Sequence, residues 1–354
     1  MKRSGRDSFE RVRVVAGDRK LSGDLKPGRI TSNCRAYSFW MPRPMPSLDI
    51  VIVNWNAGQQ LQRCLSSIAT ARQESFCLNR VVVVDNASSD VSLERVQSVG
   101  LPLVVISNPI NRGFAVACNQ GAKGSKADYL LFLNPDVVLE PDTLAGPMAF
   151  MQRPENAQVG ICGIQFLSST GEIARSCARF PQAWNFLAMT TGLHRLVPSR
   201  FPGLVLEEWD HQVSRMVDHV IGAFFLVRRT LFVSLGGFDE RFFVYLEDLD
   251  FSYRAWQSGW SSYYLATVRG AHRGGGCSEQ VKATRLFYSL HSRILYAYKH
   301  FSTLSATAVL LATVFVEPVI RLGRALTRGS FVEITEVSDG FWKLWKHAAV
   351  GTKR

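Results

Sequence analysis

Residues 80–90 read Arg-Val-Val-Val-Val-Asp-Asn-Ala-Ser-Ser-Asp. Four consecutive β-branched residues with no polar alternation predict a strand buried on both faces, the condition of a strand inside a parallel sheet. The run stops at Asp85, and the small polar residues after it suit a turn and a helix N-cap. Asp90 can supply that cap for a helix over 91–98. Asp85 is thereby left at the end of a rigid strand, free to accept hydrogen bonds from a base or a ribose. The same grammar repeats on either side. Residues 48–54 (Leu-Asp-Ile-Val-Ile-Val-Asn) predict a strand, followed by the polar loop Trp55–Gly58 and a helix over 59–72. Residues 102–107 and 128–133 predict two more strands, with a helix near 114–124 between them and another from about Pro141. Strand–helix alternation over about ninety residues reads as a parallel α/β sheet with crossover helices. Ligands of such sheets bind beyond the carboxyl ends of the strands. Asn54, Asp85 and Asp136 lie at or just past three of those ends.

The second half is more mixed. Residues 159–167, 217–228 and 262–268 predict strands, Leu246–Gly259 a helix opened by acidic residues, and 284–301 a strong helix. Asn134-Pro-Asp136 places a carboxylate after a buried strand on a turn stiffened by proline. A hard divalent cation that also holds a diphosphate needs only one or two protein carboxylates. Glu247-Asp-Leu-Asp250 brings three carboxylates to one helix start, beside the aromatic run Phe242–Tyr245. They suit the helix dipole, and crowding there can raise a carboxyl pKa as a general base requires. Glu247 and Asp250 share a face at i, i+3, with Asp248 directed elsewhere and Arg254 in reach of a salt bridge. His272, after a strand and before three glycines, can complete a metal site as a neutral imidazole. Gly222 and the Gly236–Glu240 run offer small residues near a pocket.

Composition narrows the class. The chain has 354 residues, 47% hydrophobic and 20% charged, which is enough apolar material for a large core and excludes wholesale disorder. Seven scattered cysteines without a Cys-x-x-Cys pair argue against a disulfide framework or thiolate zinc and fit a reducing cytoplasm. The N-terminal residues lack the apolar core of a secretory signal. No uninterrupted apolar run reaches about eighteen residues, which argues against a multi-spanning membrane protein. The formal net charge of +12 is uneven: +7 over 1–46, −1 over 47–284 and +6 over 285–354. Residues 1–46, with little periodicity and the ending Met41-Pro-Arg-Pro-Met-Pro46, read as a basic disordered leader, and Met41 or Met45 is a candidate start. The neutral middle lacks the aromatic–basic interleaving of a nucleic-acid binder, so no nucleic-acid partner is expected.

Taken in order, the segments 51–56 (VIVNWN), 82–90 (VVVDNASSD), 111–121 (NRGFAVACNQG), 129–137 (YLLFLNPDV), 222–229 (GAFFLVRR) and 236–254 (GGFDERFFVYLEDLDFSYR), with a histidine downstream, resemble the family 2 glycosyltransferases of the GT-A fold. Within them the chain is most similar to the bacterial rhamnosyltransferase-type branch. The resemblance covers about residues 48–300. It implies an α/β GT-A nucleotide-sugar-binding domain over 47–302, with a mixed, mainly parallel central sheet flanked by helices, and an inverting enzyme using a divalent metal, Mg²⁺ or Mn²⁺. The donor is a nucleotide-sugar, with dTDP-rhamnose favoured. The acceptor is a cell-envelope glycan or a polyprenyl-linked one, reached from the inner face of the plasma membrane. By the same resemblance Asp85 contacts the nucleotide base, and Asp136 is the last acid of the metal motif, whose first position here is Asn134. Asp248 is the catalytic base, and His272 completes the metal shell. Asn54, Arg112, Asn119, Asn134 and Gly222 line the donor pocket. Galactofuranosyl or glucosyl transfer, a nucleotidyltransferase and a non-catalytic nucleotide-sugar-binding relative are the alternatives. The loop Trp55–Gly58 lacks the basic residue expected of a nucleotidyltransferase.

Residues 303–354 form a separate helical segment in this reading. Residues 304–316 are apolar apart from Ser and Thr but short for a span, and Arg321, Arg324 and Arg328 follow at helical spacing. Ile334, Val337, Phe341, Trp345 and Ala348 make an apolar stripe with Lys343, Lys346 and His347 nearby. A helix lying in a membrane interface and a helix packed on the catalytic domain both fit this pattern.

Overall fold

The computed structural model describes residues 12–14, 45–94, 96–272 and 281–351. The strands are β1 (Val12–Val14), β2 (Ser47–Asn54), β3 (Cys77–Asp85), β4 (Leu103–Ser107), β5 (Tyr129–Leu133), β6 (Val137–Leu139), β7 (Val159–Leu167), β8 (Ile173–Ala174), β9 (Cys177–Ala178), β10 (Arg215–Val217), β11 (His219–Val220), β12 (Phe224–Arg228) and β13 (Ser261–His272). The helices are α1 (Gln59–Thr70), α2 (Phe114–Ala122), α3 (Ala145–Gln152), α4 (Ala183–Thr191), α5 (Leu193–Leu196), α6 (Arg229–Ser234), α7 (Glu247–Gln257), α8 (Lys282–His300), α9 (Thr303–Leu311), α10 (Glu317–Thr327) and α11 (Phe331–Gly351).

The main sheet runs β1-β4-β3-β2-β5-β12-β7-β13-β10. Strands β4, β3, β2 and β5 are parallel, β12 is antiparallel to both neighbours, and β7 and β13 are parallel to each other. Six of the seven central strands therefore point the same way. The period-two alternation of a strand separates two cores. Ile50, Ile52, Val81, Val83, Leu131 and Leu133 face the layer that includes α1 and α3. Val51, Val53, Val82, Val84, Leu130 and Phe132 face the layer that includes α2 and α7. This two-sided burial is why the valine runs carry no polar alternation.

Three local expectations are corrected. The helix expected over 91–98 is two 3₁₀ turns, Val91–Leu93 and Val96–Val99. Asp90 caps the first turn through Ser92 N–H (3.1 Å), and the Ser92 hydroxyl is drawn to the same carboxylate and to Asn54, a local polar competition that opposes a regular helix. The helix expected near Pro141 starts at Ala145, because Thr143 turns its hydroxyl to Arg269 O (2.5 Å). The strand expected over 217–228 breaks into β11 and β12 around Gly222, whose N–H is given to Asp248 instead of a strand partner.

The C-terminal helices pack onto the catalytic half. Leu290 of α8 joins Val337, Phe341 and Leu344 of α11 in one cluster. Phe186, Phe242, Leu249 and Tyr296 join Ala306 and Val309 of α9 in another. Of the leader, the described strand β1 pairs antiparallel with β4. Of the stripe expected on the last helix, Val337 and Phe341 lie inward, Ile334 is half-buried and Trp345 half exposed, while the Ala348 side chain lies outside the described residues.

Candidate active site

The strand ends converge on a cleft of about 590 Å³, a volume in the usual range for small-ligand pockets. Trp55, Asn86, Asn134 and Asp136 come from the ends of β2, β3 and β5. His272 ends β13, Phe243 and Tyr245 precede α7, and Arg285 and Tyr288 come from α8. Phe243 and Tyr288 stack at 4.3 Å with ring planes 7° apart, closing one wall.

The loops at the rim are held in conformations that most residues avoid. Asn56, Ala87, Tyr245 and Leu246 all have positive φ without being glycine. Each costs on the order of 1–3 kcal/mol and persists only where neighbours fix it, which concentrates such residues at functional sites. The neighbours are visible. Phe114 N–H donates to Phe243 O (2.6 Å), and the Ser292 hydroxyl donates to Val244 O (2.8 Å). Gly113, at φ +91°, lets this contact form: a Cβ there would stand 2.6 Å from Phe243 O.

At the end of β5, His272 Nε2 stands 3.4 Å from Asp136 Oδ1, and the imidazole packs on Phe166. Among the described residues no group of three or more His, Cys, Asp or Glu is placed to hold a metal ion. The Asp136–His272 pair nonetheless fits a hard cation that takes its remaining ligands from diphosphate and water, since it offers one oxygen and one nitrogen into an open cleft. Pro135 fixes the turn that presents Asp136.

The acidic start of α7 is built differently. Asp248 Oδ2 accepts Gly222 N–H (2.7 Å) and lies 3.5 Å from His219 Nε2, while Oδ1 accepts Leu249 N–H (2.8 Å). His219 is itself oriented by Ser252 Oγ (2.9 Å). Burial pushes the Asp248 carboxyl up, but His219 and the two N–H groups outweigh it and hold the group below the usual carboxylate range. Burial, with Asp248 beside it, raises Glu247 well above that range, and Glu247 Oε2 is buried without a partner. The raised acid expected of this cluster is therefore Glu247, and Asp248 is the ionised one. Asp250 is fully buried and bound by Arg254 (2.8 Å), Lys299 (2.6 Å) and His300 (2.7 Å). Lys299 also binds Asp239 (2.6 Å), so the Gly236–Glu240 run serves as an anchor for α7 and α8.

Asp136 and Asp248 meet at one end of the sheet. Asn134 N–H donates to Ala223 O (3.0 Å), and the adjacent Gly222 donates to Asp248. Two backbone positions thus link the Asn134–Asp136 turn to the α7 carboxylate. Asn54 and Asp85 lie just beneath the cleft wall. Asn54 Nδ2 is 2.8 Å from Asp85 Oδ1 and also reaches Ser88 and Ser92, while Asp85 accepts Ser88 Oγ at 2.6 Å. Asn119 grips Phe238 N–H and O and reaches Glu240, away from the cleft lining. Arg112 is exposed on the loop before α2. Burial drives the Cys64, Cys118 and Cys162 thiols far up, so none is a ready nucleophile. The five described cysteines, Cys64, Cys77, Cys118, Cys162 and Cys177, are all free. His219, Arg285 and Tyr288 were not legible as site residues. His219 lacks a motif, and the α8 pair would have required knowing that α8 crosses the strand ends.

The chain has recognisable relatives. Residues 49–203 match the model of glycosyl transferase family 2. That span holds Asn54, Asp85, Asn134 and Asp136, whereas Asp248 and His272 lie beyond it. An N-acetylglucosaminyl-diphospho-decaprenol L-rhamnosyltransferase of Mycobacterium tuberculosis is 26% identical over 271 residues, covering 71% of this chain and 83% of the relative. The rhamnosyltransferase WbbL of Escherichia coli is 25% identical over 231 residues, covering 63% and 82%. Among solved structures, a mannosyltransferase of Pyrobaculum calidifontis in complex with GDP-Man and Mn²⁺ aligns with a TM-score of 0.49 and 17% identity over 84% of this chain and 80% of that one. With the ordered motifs, the match over residues 49–203 marks that segment as a family 2 glycosyltransferase domain, and the chain is similar over 71% and 63% of its length to the two rhamnosyltransferases.

Proposed function

We propose that the protein transfers a sugar, rhamnose in the favoured case, from a nucleotide-sugar to a cell-envelope glycan acceptor carried on a lipid, with inversion at the anomeric carbon. The observation that carries this reading is the shared end of the sheet: an open Asp136–His272 pair and an ionised Asp248, linked through Asn134–Ala223 and Gly222. Asp136 and His272 would hold a divalent cation, which when bound neutralises the charge of a diphosphate leaving group. Asp248 acts on the acceptor. Its carboxylate takes the proton of the attacking hydroxyl, and its two backbone N–H bonds fix its direction. His219 steadies the carboxylate before the proton arrives. Asn54 and Ser88 fix Asp85, with Ser92 holding Asn54 in place, and Asp85 with Asn86 faces the nucleoside end of the donor. The stacked Phe243–Tyr288 wall excludes water from one side of the reacting sugar. No covalent sugar–enzyme bond is needed, consistent with the buried, high-pKa thiols. Rhamnose is favoured by the names of the two relatives; galactofuranose and glucose are the competing donors. Free cysteines and a nucleotide-sugar donor agree with action at the cytoplasmic face of the plasma membrane.

A donor screen by thermal shift tests the reading. Saturating dTDP-rhamnose at about a hundred times its Kd stabilises the fold by about 2.7 kcal/mol. The expected stabilisation requires Mg²⁺ or Mn²⁺ and disappears in Asp136→Asn. Equal stabilisation without metal, or none by any nucleotide-sugar, contradicts it.

A further inference from the structure

Helices α9 and α10, joined by a π-helical turn over Ala312–Val316, form one continuous helix from Thr303 to Thr327. It is long and apolar enough to cross a membrane, yet only 28% of its most apolar window is buried. Its amphipathicity is inverted relative to a helix of a soluble core. Inward lie Ala306, Val309, Thr313 and Ala325, mostly small side chains. Outward lie Leu304, Leu311, Phe315, Val319 and Leu326, between 50% and 84% exposed. Their spacing of seven, four, four and seven residues makes one stripe along the helix. The stripe continues past the next turn into Phe331 and Val332, both exposed. A monomer seldom leaves an apolar patch of this extent in water.

The same helix cannot cross the bilayer as an independent span. Glu317, near its middle, is buried and ion-paired to Arg293 of α8 (2.5 Å) and to Arg321 (2.7 Å), with the Thr190 hydroxyl of α4 donating to it (3.3 Å). Pulling Glu317 into hydrocarbon would break this network or drag α4 and α8 with it, and a buried charge stripped of its partner is strongly unfavourable. Arg324 and Lys346 are exposed and form no ion pair among the described residues, and Trp342 and Trp345 of α11 are exposed as well. A chain that exposes an apolar stripe, and nearby in sequence exposes unpaired cations and tryptophans, has the composition that suits an anionic leaflet.

We propose that Thr303–Val332 lies flat in the surface of an anionic bilayer, its Leu311–Phe315–Val319 face inserted and its opposite face bolted to the catalytic domain through Glu317. Helix α8 carries Arg293 of that bolt and, two turns earlier, Arg285 and Tyr288 of the cleft wall. The docked surface therefore stands one helix away from the cleft. The role of this surface in presenting a lipid-carried acceptor rests on the transfer reading above; the binding itself does not.

Flotation of the full chain with phosphatidylcholine/phosphatidylglycerol vesicles tests the proposal. The wild type is expected to float, less so as salt rises, and weakly with phosphatidylcholine alone. Phe315→Glu/Val319→Glu is expected to lose binding at least about tenfold while keeping its melting temperature and its donor-induced thermal shift. Arg324→Glu/Lys346→Glu, both at exposed positions, is expected to lose the preference for the anionic lipid by about tenfold or more. Wild-type protein that stays unbound, or a double variant that floats as well as wild type, overturns the proposal. So does a dimer in solution that Phe315→Glu/Val319→Glu converts to monomer, because the stripe would then belong to a second copy. Loss of transfer with flotation intact would fall on the transfer reading alone.

Discussion

Two acidic regions sit at the same end of the sheet and are built in opposite ways. At the end of β5, Asp136 faces an open cleft with one imidazole 3.4 Å away. At the start of α7, each of three carboxylates is settled by its surroundings. Asp250 is locked by Arg254, Lys299 and His300, Asp248 is aimed by two N–H groups and a histidine, and Glu247 is buried with its carboxyl pushed toward the neutral form. The difference shows that a carboxylate's role follows from what already occupies its lone pairs. Asp250 has nothing left to offer a ligand and holds the fold. Asp136 has nearly everything left to offer. Asp248 lies between them, fixed in direction but able to accept one more proton donor. Pairs of acids pushed to opposite protonation states are a recurring feature of acid–base sites.

The largest expected effect falls on the locked side. Asp250→Asn leaves Arg254, Lys299 and His300 facing a neutral amide and should destabilise the protein by about 3–5 kcal/mol in urea unfolding. A loss below about 1 kcal/mol would mean that Arg254, Lys299 and His300 find other partners, and the contrast between the regions would weaken. The pH dependence carries the next effect. Asp239 and Asp250 have folded pKa values below their unfolded ones, so their stabilisation is present above the ordinary carboxylate pKa and is lost as pH falls through the folded values. Stability should therefore decline on the acid side, and Asp239→Asn should flatten that decline.

Glu247 has the opposite sign. Its folded pKa is raised, so its contribution is full below the unfolded value near 4.5 and is lost as pH rises through the folded one. Glu247→Gln should consequently be more stable than wild type at pH 8, by about 1 kcal/mol, in thermal or urea unfolding. A less stable variant would show that the buried acid makes a hydrogen bond an amide cannot replace. The smallest effect on stability belongs to Asp136→Asn, expected within about 1 kcal/mol of wild type because its carboxylate, although only 9% exposed, has His272 as its one close polar partner among the described residues. A large loss there would make Asp136 structural and undo the comparison.

Much of this was legible in the sequence because the informative residues stand at strand ends. Runs such as Val81–Val84 can only be strands buried on both faces, and Asp85 and Asp136 follow them directly. The pairing of Asp250 with Arg254 was readable from i, i+4 spacing on one helix, and so was the inward face shared by Glu247 and Asp250. What could not be read depends on contacts between residues far apart in the chain. His219 reaches Asp248 from 29 positions away, and Lys299 and His300 reach Asp250 from 49 and 50. The 3₁₀ turns after Asp90 were hidden for a related reason, since Ser92 is diverted in part by Asn54, 38 residues upstream. The apolar run after residue 303 was visible. That its large side chains face outward and its small ones inward was not, because that depends on where Glu317 finds Arg293.

The most direct measurement is a separation of binding from chemistry in Asp248→Asn. Metal-dependent binding of the sugar donor is followed by calorimetry and transfer to acceptor by single-turnover quench. Asn keeps the shape of the side chain, removes its charge and its ability to take a proton, and leaves one oxygen instead of two to accept the Gly222 and Leu249 N–H groups. The account predicts donor affinity within about twofold of wild type and transfer slowed by about 10³-fold or more. Transfer at the wild-type rate with donor binding intact would remove Asp248 from the chemistry and, with it, the claim that the two acidic regions serve one reaction.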